Sequence, residues 1–318
     1  MVRLLLLTFI LGGCAGRAIH ATSDGSERDS RAADGWTGQD SPSQDQAGAL
    51  AGMTWVMIKA GTFHMGSPDD EPCRLPNETL HPVTLTRSYE IGATEVTQGA
   101  FFEAVGHDPS HFSDCGSTCP VDSVDWSTAV VFCNRLSERA NLQKCYSCVS
   151  DGAKYSFPYD CGVRSEFDGT KGKTIYDCPG YRLPTEAEWE RAYRSGSSSA
   201  FFSGAITSCF LDNGATAIGW YSHNASEKTH QVASKAPSAW GLYDMAGNLW
   251  EWVNDWYQPD LGSAAAHDPL GPPTAQGKVL RGGSWIGSPG SMRGASRNQS
   301  LRFKALSFIG FRCARTIP

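Results

Sequence analysis

The sequence predicts an α+β fold that is rich in loops and stapled by disulfide bonds. Charged residues make up only 19% of the 318 residues, whereas glycine occurs 34 times and tryptophan 10 times. Such a composition is typical of an irregular, aromatic-rich domain rather than a helical bundle. Hydrophobic residues make up 40% of the chain, which is enough for a substantial core, and the length permits one large domain or two ordinary ones.

Residues 1–14 have the features of a lipoprotein signal peptide. Arg3 precedes an apolar run that is too short to span a membrane, and residues 11–14 (LGGC) resemble a bacterial lipobox. Cys14 would then carry the lipid, and the following Ala15, which is not aspartate, favours the outer membrane. The alternative is an ordinary secretory signal. We therefore expect an exported bacterial lipoprotein, anchored in the outer membrane or at the cell surface.

Residues 15–50 predict a disordered tether between this anchor and the folded domain, residues 51–318. The segment is rich in Ser, Asp, Gly, Ala and Gln and nearly lacks large apolar side chains, so it cannot bury enough surface to fold. The formal net charge of the chain is −6, and no cluster of Lys and Arg occurs. Both observations argue against nucleic acid as a partner.

The cysteines indicate an oxidising compartment. Of the 11 cysteines, Cys14 is assigned to lipidation, which leaves an even number, and disulfides are the default in an exported chain. We expect a cysteine-rich, disulfide-stapled insert at residues 137–179. A four-thiolate zinc site is the alternative for four of its cysteines, namely Cys145, Cys148, Cys161 and Cys178.

The first elements of the domain are short strands. Residues 55–58 and 60–66 predict a hairpin with Gly61 in its turn, and residues 81–85 and 89–92 predict two further strands. Thr97 is the expected cap of the helix that follows.

Two more helices and two closing strands follow along the chain. Asp125 or Ser127 opens the second helix, on which Cys133 has a core-facing position. Thr185 and Glu188 form a capping box at the start of the third helix, so its first-turn carboxylates are expected to be structural. Residues 279–285 and 310–315 are expected to form short strands that end in tight turns.

The segment at residues 240–257 (WGLYDMAGNLWEWVNDWY) combines four tryptophans with two acidic residues. In an extended chain, the alternation around Glu251 places two indoles on one face and the carboxylate on the other. Gly247 and Asn248 supply a tight turn where backbone carbonyls can meet acidic oxygens. Oxygen ligands of this kind suit calcium, and the alternative is a Trp-rich core without metal.

Together these blocks resemble the formylglycine-generating enzyme (FGE-sulfatase) family. The matching blocks occur in the family's order and cover roughly residues 53–318, at 58–67, 93–97, 124–134, 180–192, 240–257, 280–285 and 310–312. The resemblance implies a C-type-lectin-like fold. It also implies a disulfide between Cys133 and Cys313, and a structural calcium site with side-chain ligands from Asp244 and Glu251 and carbonyl ligands from Gly247 and Leu249.

The resemblance breaks at the catalytic site. Enzymes of the family oxidise a substrate cysteine to formylglycine with copper and molecular oxygen, and two cysteines after the RGGS motif hold the copper. Here Ser284 keeps the serine of that motif, but Gly287 and Met292 occupy the two cysteine positions. No cysteine lies between Cys209 and Cys313, so no shift of the alignment restores the pair. Copper is therefore not expected, and no catalytic residue is assigned.

We expect a surface-anchored binding module whose ligand is a protein, a peptide or a glycan. The recognition surface is predicted around residues 284–293, where Arg281, Arg293 and Arg297 are either polar anchors or structural residues. One alternative is an active oxidoreductase of the same superfamily, with a metal or cofactor site that the sequence does not reveal. Another is a chaperone-like partner of an active paralogue.

Overall fold

The computed structural model describes residues 52–149 and 160–317. The predicted signal peptide, Cys14 and the predicted tether at residues 15–50 lie outside the described residues. Within the described ranges, no helix is both long enough and apolar enough to cross a membrane.

The described part of the chain consists of short strands, four α-helices and many loops. The strands are β1 (Trp55–Ile58), β2 (Gly61–Met65), β3 (His81–Leu85), β4 (Tyr89–Gly92), β5 (Tyr146–Val149), β6 (Asp160–Val163), β7 (Tyr181–Arg182), β8 (Trp250–Trp256), β9 (Ala266–His267), β10 (Lys278–Arg281), β11 (Arg297–Ser300), β12 (Ile309–Phe311) and β13 (Ala314–Thr316). The helices are α1 (Gln98–Val105), α2 (Trp126–Arg139), α3 (Glu186–Arg194) and α4 (Asn213–Ile218).

The strands form two four-stranded sheets, one three-stranded sheet and a hairpin. The orders are β1–β4–β13–β7, β11–β10–β8–β12, β2–β3–β9 and β5–β6. The last strand, β13, lies between β4 and β7. The C-terminal strand therefore pairs with a strand from the beginning of the domain. The predicted α+β, loop-rich fold is confirmed.

The predicted hairpin of the first two strands is wrong. β1 pairs with β4, whereas β2 pairs with β3, so the chain crosses from one sheet to another between β1 and β2. Backbone groups at the crossing are bound by distant side chains, because Arg191 donates to the Lys59 carbonyl (2.9 Å) and Ala60 N donates to Ser88 Oγ (3.1 Å). The chain between β1 and β2 therefore crosses to a second sheet instead of forming a tight turn that pairs the two strands.

The predicted helix starts are confirmed. Thr97 accepts a hydrogen bond from the backbone of α1, and Asp125 opens α2 by accepting from Thr128 N. Thr185 and Glu188 form the expected capping box of α3, with Glu188 Oε2 accepting from Thr185 N at 2.8 Å. Helix α3 is amphipathic and buries nearly all of its residues, which places it at the centre of the molecule.

The disulfides confirm the predicted stapling of the fold, and two of the four in the described chain lie within residues 137–179. The four disulfides join Cys73 to Cys209, Cys115 to Cys119, Cys145 to Cys178 and Cys148 to Cys161. The zinc alternative is wrong, because the four cysteines of the insert pair with one another as two disulfides.

Candidate functional site

Strand β8 carries the acidic residue of the Trp-rich segment into the middle of a sheet. Glu251 is fully buried, and Arg312 binds its carboxylate with Nη2 at 2.7 Å from Oε1 and Nε at 2.8 Å from Oε2. The indole Nε1 of Trp189 on α3 also donates to Oε2 at 2.8 Å. The carboxylate thus links β8, α3 and the segment after β12.

Two further carboxylates lie close to this ion pair. Glu95 is 1% exposed and accepts from Leu249 N (2.9 Å) and from the Asn248 side chain (2.8 Å). Burial, together with the negative charges of Asp244 and Glu251, raises the pKa of Glu95 well above its ordinary value. Three acidic side chains therefore share one arginine, an arrangement that favours an additional cation.

Asp244 has the unsatisfied oxygen of the cluster. The residue is 2% exposed, and its Oδ2 accepts from Ala233 N at 2.7 Å. Its Oδ1 is buried and has no hydrogen-bond partner anywhere in the described residues. Burial raises the pKa of Asp244 to about 6. An orphaned buried oxygen is costly unless a ligand satisfies it.

The predicted calcium set is only partly available, because Asp244 Oδ1 is unpaired whereas both oxygens of Glu251 are already bound by Arg312 and Trp189. In addition to Asp244 Oδ1, the carbonyl oxygens of Gly247 and Leu249 accept no hydrogen bond from the loops and side chains of the described chain. Across residues 52–149 and 160–317, no three His, Cys, Asp or Glu side chains are arranged to hold a metal. The predicted set uses only two such side chains, Asp244 and Glu251, beside two carbonyls, and calcium binding stays a prediction.

Residues 284–292, hereafter the 284–292 turn, contain the two positions that the family resemblance assigns to copper ligands. Ser284 is fully buried, and its Oγ has no partner among the described residues. Gly287 is partly exposed, and a Cβ added there would lie 2.5 Å from Ser291 Oγ. Met292 is fully buried, and its carbonyl accepts from Tyr193 Oη at 2.6 Å. The turn therefore offers no pair of soft ligands.

A disulfide that sequence reasoning missed packs against this turn. An ideal Cβ on Gly290 would lie 3.1 Å from Cys73 Cβ and 3.8 Å from Cys73 Sγ. The sulfur of Cys73 is bonded to Cys209, which is 136 residues away. No local pattern in the sequence identifies such a distant pair.

Cys133 and Cys313 meet as the family resemblance implies. Both are buried, and their sulfur atoms lie 2.6 Å apart, although the structure holds them as free thiols. The covalent bond between them stays a prediction.

The three arginines considered as recognition anchors are buried. Arg293 binds Glu78 in a bidentate pair (2.6 and 2.7 Å), Arg297 binds Glu186 in the same way (2.6 and 2.9 Å), and Arg281 pairs with Glu190. None of the three is more than 4% exposed. The anchor interpretation is wrong for all three, because their guanidinium groups are used inside the protein.

A surface of partly exposed side chains borders the 284–292 turn instead. Trp285 packs edge-on against Phe112, with ring centroids 5.4 Å apart, and Phe112 contacts His111 at 4.8 Å. Trp285 Nε1 donates to the Ser307 carbonyl at 3.0 Å, which fixes the indole. Ile286 beside it is 46% exposed. We call these four residues, His111, Phe112, Trp285 and Ile286, the aromatic surface.

Comparison with known proteins gives consistent matches over most of the chain. Residues 39–317 match the family described as sulfatase-modifying factor enzyme 1-like domain (FGE-sulfatase). The chaperone protein LppX of Paenibacillus barcinonensis is 30% identical over 226 residues, which cover 65% of this chain and 72% of the relative. The formylglycine-generating enzyme of Streptomyces coelicolor is 30% identical over 287 residues, which cover 81% and 88%.

Among solved structures, Treponema denticola variable protein 1 is similar with a TM-score of 0.70. It is 34% identical in sequence, and the match covers 83% of this chain and 95% of that one. The family membership and the fold implied by the sequence blocks are therefore confirmed.

Proposed function

The chain belongs to the FGE-sulfatase family, and we propose that it uses the family scaffold as an exported, lipid-anchored binding protein rather than as a copper oxidase. The observation that carries the proposal is the 284–292 turn, where Gly287 and Met292 replace the copper-binding cysteines. Copper(I) requires soft ligands, above all thiolates.

The surroundings of the turn support the loss of the copper site. Gly287 has no side chain, and the Met292 side chain is packed inside, with its Cε 2.6 Å from where a Cβ on Gly219 would lie. Cys73 lies beside Gly290, but its sulfur is already bonded to Cys209. A single buried thioether is a poor substitute for two thiolates.

The aromatic surface supports the binding role. Large aromatic side chains are enriched in interfaces, where a few residues contribute most of the affinity. Trp285 and Ile286 belong to the same turn that lost the copper ligands, and the ring contacts of Trp285 with Phe112 make this surface rigid. A calcium ion at Asp244, Gly247, Leu249 and Glu251, which would share the Glu251 carboxylate with Arg312, would hold the adjoining segment in place. We propose a protein, peptide or glycan as the ligand.

A second candidate is a chaperone-like role toward an active paralogue. It is favoured by the 30% identity to a relative whose name is chaperone protein LppX. Both candidates use a surface rather than a redox metal, and they differ in whether the bound partner is itself an FGE-family protein.

Selection against the immobilised protein, with a random peptide library and a glycan array, tests the binding role. Ligands that are enriched on the native protein should be lost by the variants Trp285→Ala and Ile286→Ser. The control Phe303→Ser changes another large exposed residue, 64% exposed, outside the aromatic surface and should keep them. Enrichment that is the same for all variants, or no enrichment on the native protein, would contradict the proposal.

Restoration of the two cysteines tests the interpretation of the turn. The double variant Gly287→Cys, Met292→Cys should gain one copper(I) ion per chain in a competition titration with a chromogenic chelator. Gly287 does not have a left-handed backbone, but a cysteine there requires the Ser291 hydroxyl to turn away and a small shift of the Ser284 carbonyl, which would lie 3.2 Å from the added Cβ. The single variant Gly287→Cys is the matched control and should bind copper much more weakly.

A further inference from the structure

A cavity of about 250 Å³ lies apart from the 284–292 turn and from the aromatic surface. It lies between the β2–β3 sheet, the first turn of α3, the end of β8 and the loop that contains β9. Its apolar walls include Met65, Leu261 and Leu270, and its polar groups are His81, Glu186 and Asp255. The proposed function uses none of these residues.

His81 presents a hydrogen-bond acceptor to this cavity. The residue is 3% exposed, and its Nδ1 lies 2.8 Å from the Thr79 carbonyl oxygen. Because a carbonyl can only accept, Nδ1 must carry the hydrogen, and in the neutral ring Nε2 is then an acceptor. Nε2 has no hydrogen-bond partner in residues 52–149 and 160–317.

Asp255 presents a second acceptor. The residue is 4% exposed, and its Oδ2 accepts from Glu186 N at 2.9 Å. Its Oδ1 has no partner within the described chain, and it lies 3.5 Å from where a Cβ on the cavity residue Gly271 would be. The neighbouring Glu186 differs, because both of its oxygens are bound by Arg297.

We propose that this cavity binds a small primary amine in its ammonium form, whose N–H groups donate to Asp255 Oδ1 and His81 Nε2 while its alkyl chain packs on Met65, Leu261 and Leu270. Two unpaired acceptors on nearly buried residues line this one small cavity, and a ligand with several donors can satisfy both; an ammonium group has three.

The local charges favour a cation over a neutral donor. Burial and the negative charge of Glu186 raise the pKa of Asp255 to about 7, so the ionised carboxylate is poorly stabilised by the protein alone. A positive charge at Oδ1 would stabilise the ionised form. An ionised Asp255 would repel an anionic ligand, whereas Glu186 is already paired with Arg297.

The test is calorimetric titration of the purified chain with alkylammonium chlorides from ethyl to octyl, beside butan-1-ol and sodium butyrate. We expect saturable binding of butylammonium, at least tenfold weaker binding of butan-1-ol and no binding of butyrate. Octylammonium should bind less tightly than butylammonium, because its chain is too long for the cavity.

Variants then locate the site. Asp255→Asn should weaken butylammonium binding at least tenfold, whereas Asp260→Asn, which changes an acid with an exposed side chain in the loop after β8, should bind like the native protein. Ala266→Leu keeps every polar group, fills the cavity wall and should also abolish binding, so it decides the matter if Asp255→Asn does not fold. No saturable binding of any alkylammonium, equal binding of butyrate, or native affinity in Ala266→Leu would overturn the proposal.

Discussion

Two regions of the molecule differ in whether their buried polar groups have partners. The first, which we call the arginine frame, consists of buried arginines that are each paired with a buried glutamate: Arg182 with Glu188, Arg281 with Glu190, Arg293 with Glu78, Arg297 with Glu186 and Arg312 with Glu251. The second is the 284–292 turn, where Ser284 Oγ has no partner in the described part of the chain and Gly287 has no side chain at all.

This difference indicates that the arginine frame maintains the fold, whereas residues of the 284–292 turn can be replaced. Each pair of the arginine frame joins segments far apart in the sequence or caps a helix, so the loss of one partner would leave an uncompensated buried charge. The 284–292 turn can exchange cysteines for Gly287 and Met292 without breaking any of these pairs. The scaffold is therefore compatible with loss of the copper site.

Breaking the arginine frame should produce the largest effect. Arg281 pairs with Glu190 and also donates to the carbonyls of Ser296 (2.6 Å) and Gly294 (2.8 Å). Arg281→Ala should lower the free energy of unfolding by about 3–5 kcal/mol, as expected for one half of a buried pair. Urea unfolding followed by tryptophan fluorescence measures it.

The matched control removes an exposed arginine. Arg135 pairs with Glu138 at 3.0 Å, and its side chain is 56% exposed, so Arg135→Ala should cost less than about 1 kcal/mol. Equal costs for the two variants would show that the arginine frame is not what distinguishes the scaffold.

Calcium should also give a large effect, because an ion at the predicted site would stabilise the segment from Asp244 to Glu251. At a calcium concentration about 100 times the Kd, the native protein should gain about 3 kcal/mol of stability, seen as a rise in Tm that a chelator reverses. Asp244→Asn keeps the acceptor for Ala233 N but removes the charge, so its Tm should not respond. An unchanged native Tm with and without chelator would contradict the calcium site, and Asp69→Asn, at an exposed acid, is the control.

Asp255 should make stability depend on pH. Its pKa in the folded protein is raised from 3.8 to about 7, chiefly by burial and then by Glu186, while Glu188 raises it further and Lys278 opposes the shift. The folded state therefore binds the proton more tightly than the unfolded state, so the contribution of this group is present at low pH and is lost as the pH rises through 7.

Replacement of the acid isolates this contribution. Asp255→Asn should be more stable than the native protein by about 4 kcal/mol at pH 8, and the difference should vanish near pH 4. Urea unfolding at both pH values measures it, with Asp260→Asn as the control. A difference that is constant with pH, or that grows toward acid, would contradict the assignment.

The smallest effect is expected at the aromatic surface. Ile286 is 46% exposed, so Ile286→Ser should change the free energy of unfolding by less than about 0.5 kcal/mol. If the same variant also loses ligand binding, Ile286 contacts the ligand and does not contribute to the stability of the fold. A cost near that of Arg281→Ala would place Ile286 in the scaffold instead.

Local features of the fold were predictable from the sequence, and long-range ones were not. The caps of α1, α2 and α3 depend on residues a few positions apart, so Thr97 and Thr185 were predicted, and Asp125 was one of the two predicted starts of α2. The β1–β4 pairing and the Cys73–Cys209 disulfide depend on how distant segments meet, which no local spacing encodes.

The candidate site shows the same division. The resemblance to the family identified Asp244 and Glu251 as candidate ligands and predicted that Cys133 lies near Cys313. It did not reveal Glu95 or the pairing of Arg312 with Glu251. The arginines near the 284–292 turn were considered as ligand anchors because their buried glutamate partners lie far away in the chain. Burial of a charged residue is set by such partners, which appear only in three dimensions.

The most direct test of the account measures copper and oxygen together. The purified native chain, incubated with excess copper(I) and desalted, is analysed for metal and then supplied with a cysteine-containing peptide in an oxygen electrode, with the Streptomyces coelicolor enzyme treated identically. The account predicts less than one tenth of a copper ion per chain and no oxygen consumption above the peptide blank. One copper ion per chain, with oxygen consumed and the peptide cysteine oxidised to formylglycine, would contradict it.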